Sequence, residues 1–497
     1  MSTPIHVMLA GTLAAVPLSQ SMQCGRPGPS APCGDDGPPV RADPPAAAAN
    51  DRIEELGKRV FFDNISVPKR MSCSTCHDPA AGWTFKNAGV NRHQVAVPGA
   101  DPHRAGSLKP PSNAYASEIS RFRACSLPPI NLCGGNFWDG RAEGNATPMF
   151  PGATAHVGDE VFESAQGLDL RARYARFLGP VADQALNPFP NLDEQNIEAR
   201  QVCKHVAASK YAPLFKIVWG ESIDCGEQAY GTRGFKAFEV NFRRLAVALA
   251  AWQSSKDVNS FSSRRDQALA ADQDGEFPLD DFTAQENLGH DLFYATFQNP
   301  VTIGGVKKFA NCAFCHTDNP IASGNPPADD GAEEFQLYSD DSYHNIGVPA
   351  NPEIPGFPAK NPGLEGHTGD PQHRGAHKTP TLRNVDKRPG AGFTKAYTHN
   401  GWFKSLESIV HFYNTAHVDG ATAKKFGIKR CDPSRAWTEQ QARAANCWPA
   451  PEQTDNLAIP FVVGDLGLTA EEEAAIVAYL KTFTDTHTPK QPKPYNN

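Results

Sequence analysis

Two pentapeptides constrain this chain more than anything else in it: Cys73-Ser74-Thr75-Cys76-His77 and Cys312-Ala313-Phe314-Cys315-His316. In a Cys-x-x-Cys-His run the two thiols add across the vinyl groups of a porphyrin, and the adjacent imidazole is held beneath the iron as its proximal ligand. With 12 Cys and 16 His in 497 residues, a random arrangement would contain roughly 0.01 such pentapeptides. Two are not chance. A zinc or dithiol redox site is the competing reading, but neither run has a second Cys-x-x-Cys partner nearby. Two covalently bound haem c groups are therefore expected, one on Cys73, Cys76 and His77 and the other on Cys312, Cys315 and His316.

A chain of this length holds two or three domains. Its formal net charge is −8, and the basic footprint of a nucleic-acid-binding protein is absent. Residues 1–22 have an apolar centre from Val7 to Val16, which suits an export signal and is too short to span a bilayer. The segment before it carries only His6 and no Lys or Arg. The other eight cysteines fall into near-neighbour pairs, Cys24/Cys33, Cys125/Cys133, Cys203/Cys225 and Cys431/Cys447, as disulfides formed in an oxidising compartment would. Together these place the protein in the bacterial periplasm, with no membrane-spanning segment.

Residues 23–50 are rich in Pro, Gly and Ala and read as a disordered linker. Apolar Ile53, Leu56 and Val60 then follow helical spacing. A helix is expected from Phe235 to Trp252, with Phe238, Phe242, Leu245, Leu249 and Trp252 on one face. Capping boxes at Thr283/Glu286 and Thr469/Glu472 start two more, and a further helix is expected from Ser405 to Tyr413. Proline-rich loops separate these elements. The expected fold is mainly α: two cytochrome c-like haem domains, 51–284 and 285–497, with long loops and a helical insertion at about 145–280. No internal repeat is visible beyond the two haem motifs.

Several blocks resemble the bacterial dihaem cytochrome c peroxidases and their MauG-type relatives. They are Leu56 to Asp63, Cys73 to Pro79, Phe137-Trp138-Asp139-Gly140-Arg141-Ala142, Asp183 to Pro188, the Cys312 run, Thr379 to Asn384 and Tyr397 to Gly401. The resemblance implies that the first haem, on His77, cleaves peroxide and that the second, on His316, passes electrons to it. O–O cleavage needs an open iron position and a group that moves a proton between the oxygens. On the resemblance, Asn136 takes the place of a distal glutamine, with Arg141 beside it. The distal glutamate falls beside Gln184, making Asp183 the candidate, with Glu143 and Glu194 as alternatives. His93 stands about where a displaceable distal histidine would, although by its surroundings it reads as a surface residue; His103 is a weaker match. The five methionines, at 1, 8, 22, 71 and 149, all precede the second haem motif, so none in that domain can ligate it. On the resemblance the family's methionine position falls on Tyr413, where MauG-type enzymes carry tyrosine; His399 and His411 remain alternatives. The family's bridging tryptophan has no counterpart, since the corresponding loop offers only Tyr115 and Phe122, and Trp83 reads as a packing residue. Calcium between the domains is also implied, with Thr394 and Ala396 where its backbone ligands would be.

Three functions follow from the resemblance. One is a periplasmic peroxidase that reduces H2O2 with electrons from a small cytochrome c or cupredoxin. Another is a MauG-type enzyme that uses peroxide to oxidise residues of a partner protein, which Tyr413 favours. The third, a non-catalytic electron carrier, is disfavoured by the Phe137 block.

Overall fold

Ile53, Leu56, Val60 and Phe61 are buried along one face of helix α1 (Arg52–Phe62), and the helix they pack on is the spine of the first half. The computed structural model describes residues 52–127, 130–273, 276–317, 335–460 and 462–495. The expected export signal, the 23–50 linker and the Cys24/Cys33 pair lie outside these residues.

After α1 the chain forms the short helix α2 (Cys73–Cys76), then α3 (Pro180–Ala185), α4 (Ala199–Ala207), α5 (Ala212–Trp219) and the long α6 (Ala237–Gln253). Helices α1, α3 and α4 all pack on α6. The apolar stripe expected on α6 understates it: Val240, Leu245, Ala246, Val247, Ala248, Leu249, Ala250, Ala251 and Trp252 are buried all round. The first core runs from Ile53 to Val258, with Leu337 added from later in the chain. Residues 157–258 supply much of it, so the stretch expected as an insertion is the body of this half.

The second core runs from Ala268 to Phe483. Its longest helices are α7 (Ala284–Tyr294), α8 (Leu406–Thr415) and α9 (Ala470–Lys481). Thr283 and Thr469 cap α7 and α9, each with a reciprocal glutamate at the third position, and Ser405 caps α8. These caps satisfy amide groups that a helix start leaves unpaired. Strands are confined to two-stranded ribbons among the described residues.

The halves repeat each other. In α1 the run Leu56-Gly57-Lys58-Arg59-Val60-Phe61-Phe62 crosses α6 at Gly57, where a Cβ would run into the Ala248 carbonyl. In α7 the run Leu288-Gly289-His290-Asp291-Leu292-Phe293-Tyr294 crosses α9 at Gly289, where a Cβ would run into the Ala475 carbonyl. Two seven-residue loops also match. Asn136–Ala142 and Tyr397–Phe403 are each closed by an antiparallel bridge between first and last residue. Each holds its second residue left-handed (Phe137 φ 71°, Thr398 φ 67°) and its glycine likewise (Gly140 φ 73°, Gly401 φ 62°). The expectation of no repeat beyond the haem motifs is thus corrected, because the repetition lies in backbone shape and helix crossings and hardly in residue identity.

Disulfides join Cys125 to Cys133, Cys203 to Cys225 and Cys431 to Cys447, as their proximity suggests. No described helix is long and apolar enough to cross a membrane.

Candidate haem centres

The four motif cysteines take no part in the disulfides, as thioether attachment of haem requires. His77 follows α2, and its Nδ1 lies 3.2 Å from the Trp83 carbonyl. His316 makes the same bond to the Tyr338 carbonyl at 2.9 Å. A carbonyl can only accept, so each Nδ1 carries the proton and each Nε2 is left as a lone-pair donor. Burial pulls His77 down to about 4 and lowers His316 as well, so both rings are neutral, the form that binds iron. Burial likewise pushes the Cys73 thiol up to about 12.

The His77 pocket is lined by Phe61, Cys73, Cys76, Asn113, Gln184, Ala185, Phe189, Glu194, Gln195 and Leu249. Gln195 is buried beside Cys73, with its Nε2 3.8 Å from the Sγ and its Oε1 lacking any partner. A buried acceptor without a donor is costly, and a polar group seated in this pocket would relieve it. The residues present fit a haem.

The expected distal residues separate here. Asp183 is buried on α3, where its carboxylate accepts from the amides of Val157 (2.8 Å) and Gly144 (3.0 Å) and pairs with His156 Nδ1 (3.1 Å). It holds the 144–157 loop, while its neighbour Gln184, about 100° round the helix, faces the pocket. Glu143 is also spent structurally: it pairs with His367 Nε2 at 2.9 Å and accepts from the amides of Met149 (2.7 Å) and Phe150 (3.2 Å). Glu194 is the carboxyl that lines the pocket. Burial raises its pKa, against the Nδ2 of Asn191, which donates at 2.6 Å, and the charge of Arg141. Asn136 Nδ2 donates to the Ala116 carbonyl at 3.3 Å. Arg141 pairs with Asp139 at 2.9 Å and lies over the Phe137 ring at 3.9 Å. His93 is exposed and pairs with Glu353 at 3.2 Å; neither it nor His103 lines the pocket.

The second cavity contains Cys312, Cys315, His316, Leu406, Ile409, Val410, Tyr413, Val463, Ile476 and Leu480. Tyr413, on α8, shares the apolar cavity with His316, and burial raises its phenol. His411 faces away and pairs with Glu473 at 2.9 Å. His399 reaches the cavity, but its Nε2 bonds Glu452 Oε2 at 3.0 Å and its ring stacks on His377 at 3.6 Å.

Trp83 packs on Phe61 and Trp252 in the first core, the packing role expected of it. Phe122 packs with Phe150, Tyr343 and His367. Tyr115 lies at the seam: its Oη donates to Asp485 at 2.8 Å, and the Arg383 guanidinium sits 5.1 Å above its ring and 5.8 Å from the Tyr338 ring. Of the two carbonyls expected to hold calcium, that of Thr394 is already engaged. The Thr394 carbonyl accepts from Asn91 Nδ2 at 3.1 Å, and the Lys395 ammonium between them is buried in contact with the first half.

A family model described as "Di-haem cytochrome c peroxidase" matches residues 51–274. The chain is 26% identical to the methylamine utilization protein MauG of Paracoccus denitrificans over 458 residues, covering 88% of this chain and 90% of that protein. It is 24% identical to the cytochrome c551 peroxidase of Nitrosomonas europaea over 377 residues, or 75% of each chain. Its fold is similar to the crystal structure of the diheme peroxidase BthA from Burkholderia thailandensis, with a TM-score of 0.58 at 24% identity, over 92% of this chain and 93% of that one. With its two haem motifs, the chain is thus similar over most of its length to di-haem cytochrome c peroxidases and to MauG.

Proposed function

We propose that this protein is a periplasmic dihaem peroxidase in which electrons enter at the His316 half and peroxide is reduced in the His77 half. The observation that carries this assignment of roles is the asymmetry of the two pockets. Two phenols, Tyr413 and Tyr397, line the His316 cavity, where the pKa of the Glu452 carboxyl is lowered against burial by its bond to His399, whereas the His77 pocket holds a carboxyl of raised pKa and three glutamines. When bound, the first haem supplies an iron at which peroxide accepts two electrons, and the second haem relays them.

The chain's residues supply the rest. His77 Nδ1–H donates to the Trp83 carbonyl and fixes the ring, so that Nε2 would be the atom that holds the iron. Glu194 takes the proton from one peroxide oxygen and returns it to the other, which leaves as water; two further protons complete H2O2 + 2e⁻ + 2H⁺ → 2H2O. A carboxyl raised toward neutrality suits both directions of that transfer. Arg141, close enough to lower Glu194, steadies its charged form. Tyr413, which shares the cavity with His316, would be the residue that holds the second iron together with it. As a hard anionic donor it stabilises the oxidised state, and its place on α8 keeps peroxide from that side. The three disulfides support an oxidising compartment.

Tyr413 also favours a second reading, in which oxidising equivalents reach a partner protein as in a MauG-type enzyme. Steady-state turnover of the holoenzyme tests the choice. With a reduced small cytochrome c or cupredoxin, the peroxidase reading predicts two donor molecules oxidised per H2O2. Peroxide-dependent oxidation of partner residues, with no donor turnover, supports the second.

A further inference from the structure

Lys395 lies between the two residues whose carbonyls the resemblance gives to calcium, and it is 4% exposed. Its Nζ lies 2.9 Å from the Ala81 carbonyl oxygen, 2.9 Å from that of Asn384 and 3.0 Å from that of Lys387. Three acceptors at that range require three N–H donors, which a protonated lysine has and a neutral amine lacks. Ala81 follows the His77 motif in the first half; Asn384 and Lys387 belong to the second. The ammonium therefore gathers carbonyls from both halves, as a bound cation would.

The device recurs along the seam. Lys404 Nζ donates to the Asn91 carbonyl of the first half at 2.9 Å and the Gly401 carbonyl of the second at 2.7 Å. Lys378 Nζ lies 3.2 Å from the Asp341 carbonyl and 3.4 Å from that of Gly134. No cluster of three acidic or histidine ligands converges at Lys395: among the described residues the one such group is Cys315, Asp340 and His344, at the second haem motif.

We propose that lysine ammonium groups, Lys395 foremost, bridge the two halves in place of a divalent cation, so that the holoenzyme sets the register of its haems without calcium. Lys395 is a positioning residue, since it holds the loop that carries His77.

The test uses purified holoenzyme. Elemental analysis after desalting should find far less than one calcium per chain, and neither EDTA nor added calcium chloride should move the thermal midpoint. About one calcium per chain, or a midpoint lowered by EDTA and restored by calcium, overturns the proposal. In Lys395→Met the thermal midpoint should fall, and the reduction potential of the His77 haem should drop with loss of a nearby positive charge; Lys395→Arg should recover part of both. A Met variant that matches the native protein in both readings overturns it too. If that variant fails to fold, the calcium measurements decide. None of these readings depends on peroxidase turnover, so they can fail independently of the proposed function.

Discussion

Trp138 and His399 meet edge to face, with ring centroids 6.5 Å apart and planes at 72°. They are the third residues of the two matching loops, so corresponding positions of the repeated halves touch at the seam. The contact is tightened by backbone: the Lys109 amide donates to the His399 carbonyl at 2.8 Å, and Trp138 Nε1 donates to the Lys109 carbonyl at 2.9 Å. His399 is thereby held by its neighbours, with its Nε2 given to Glu452.

That engagement separates the possible ligands of the second haem. Tyr413→Phe should abolish the native low-spin signal of that haem in electron paramagnetic resonance, and Tyr413→Met should raise its reduction potential, because a neutral thioether replaces an anionic oxygen. His399→Gln should leave the signal in place. A signal lost in His399→Gln and kept in Tyr413→Phe would reverse the assignment.

Glu194 and Asp183 should part company on substitution. Glu194→Gln is expected to lower kcat by about 10²–10⁴-fold, the usual worth of a general acid–base group, with little change in thermal midpoint. Asp183→Asn leaves amides of the 144–157 loop poorly paired and should cost about 1–3 kcal/mol of stability, with turnover per folded molecule kept. Steady-state kinetics alongside thermal melts distinguish the two.

The raised pKa of Glu194 gives a pH signature. The folded carboxyl keeps its proton above its ordinary value of 4.5, so the folded state binds more protons than the unfolded one in that window. The contribution is complete below 4.5 and is lost as pH rises through the folded pKa. The acid limb of kcat/KM should therefore lie above pH 4.5, and both the limb and the stability slope should flatten in Glu194→Gln.

Glu143 and His367 join the halves inside the core, 2.9 Å apart and nearly inaccessible. Glu143→Ala strands the His367 Nε2 and the amides of Met149 and Phe150, at a cost of about 1–3 kcal/mol for each buried group left unpaired. The expected result is a markedly lower thermal midpoint with both haems still attached, read by calorimetry and by haem absorbance.

Local chemistry explains what was legible from residues alone. The haem motifs, three of the disulfides and the capped helices starting at Ala284 and Ala470 depend on short spacings that a linear chain displays directly. The orientation of Asp183 was not legible, because it turns on one residue of helical phase in α3. Glu194 was harder still: it reaches the pocket from a turn 117 residues after His77, and only the packed fold brings them together. The repeat escaped notice because Gly57 and Gly289 are conserved in purpose, as close helix crossings, while most of the residues around them differ. The lysine bridges follow no motif at all, since their acceptors are backbone carbonyls.

Spectroscopy of the holoenzyme before and after one equivalent of H2O2 bears most directly on the division of labour between the haems. A high-spin signal from the His77 haem that disappears on adding peroxide, beside a low-spin signal from the Tyr413-bearing half, is the expected result. Two low-spin haems unmoved by peroxide would contradict it.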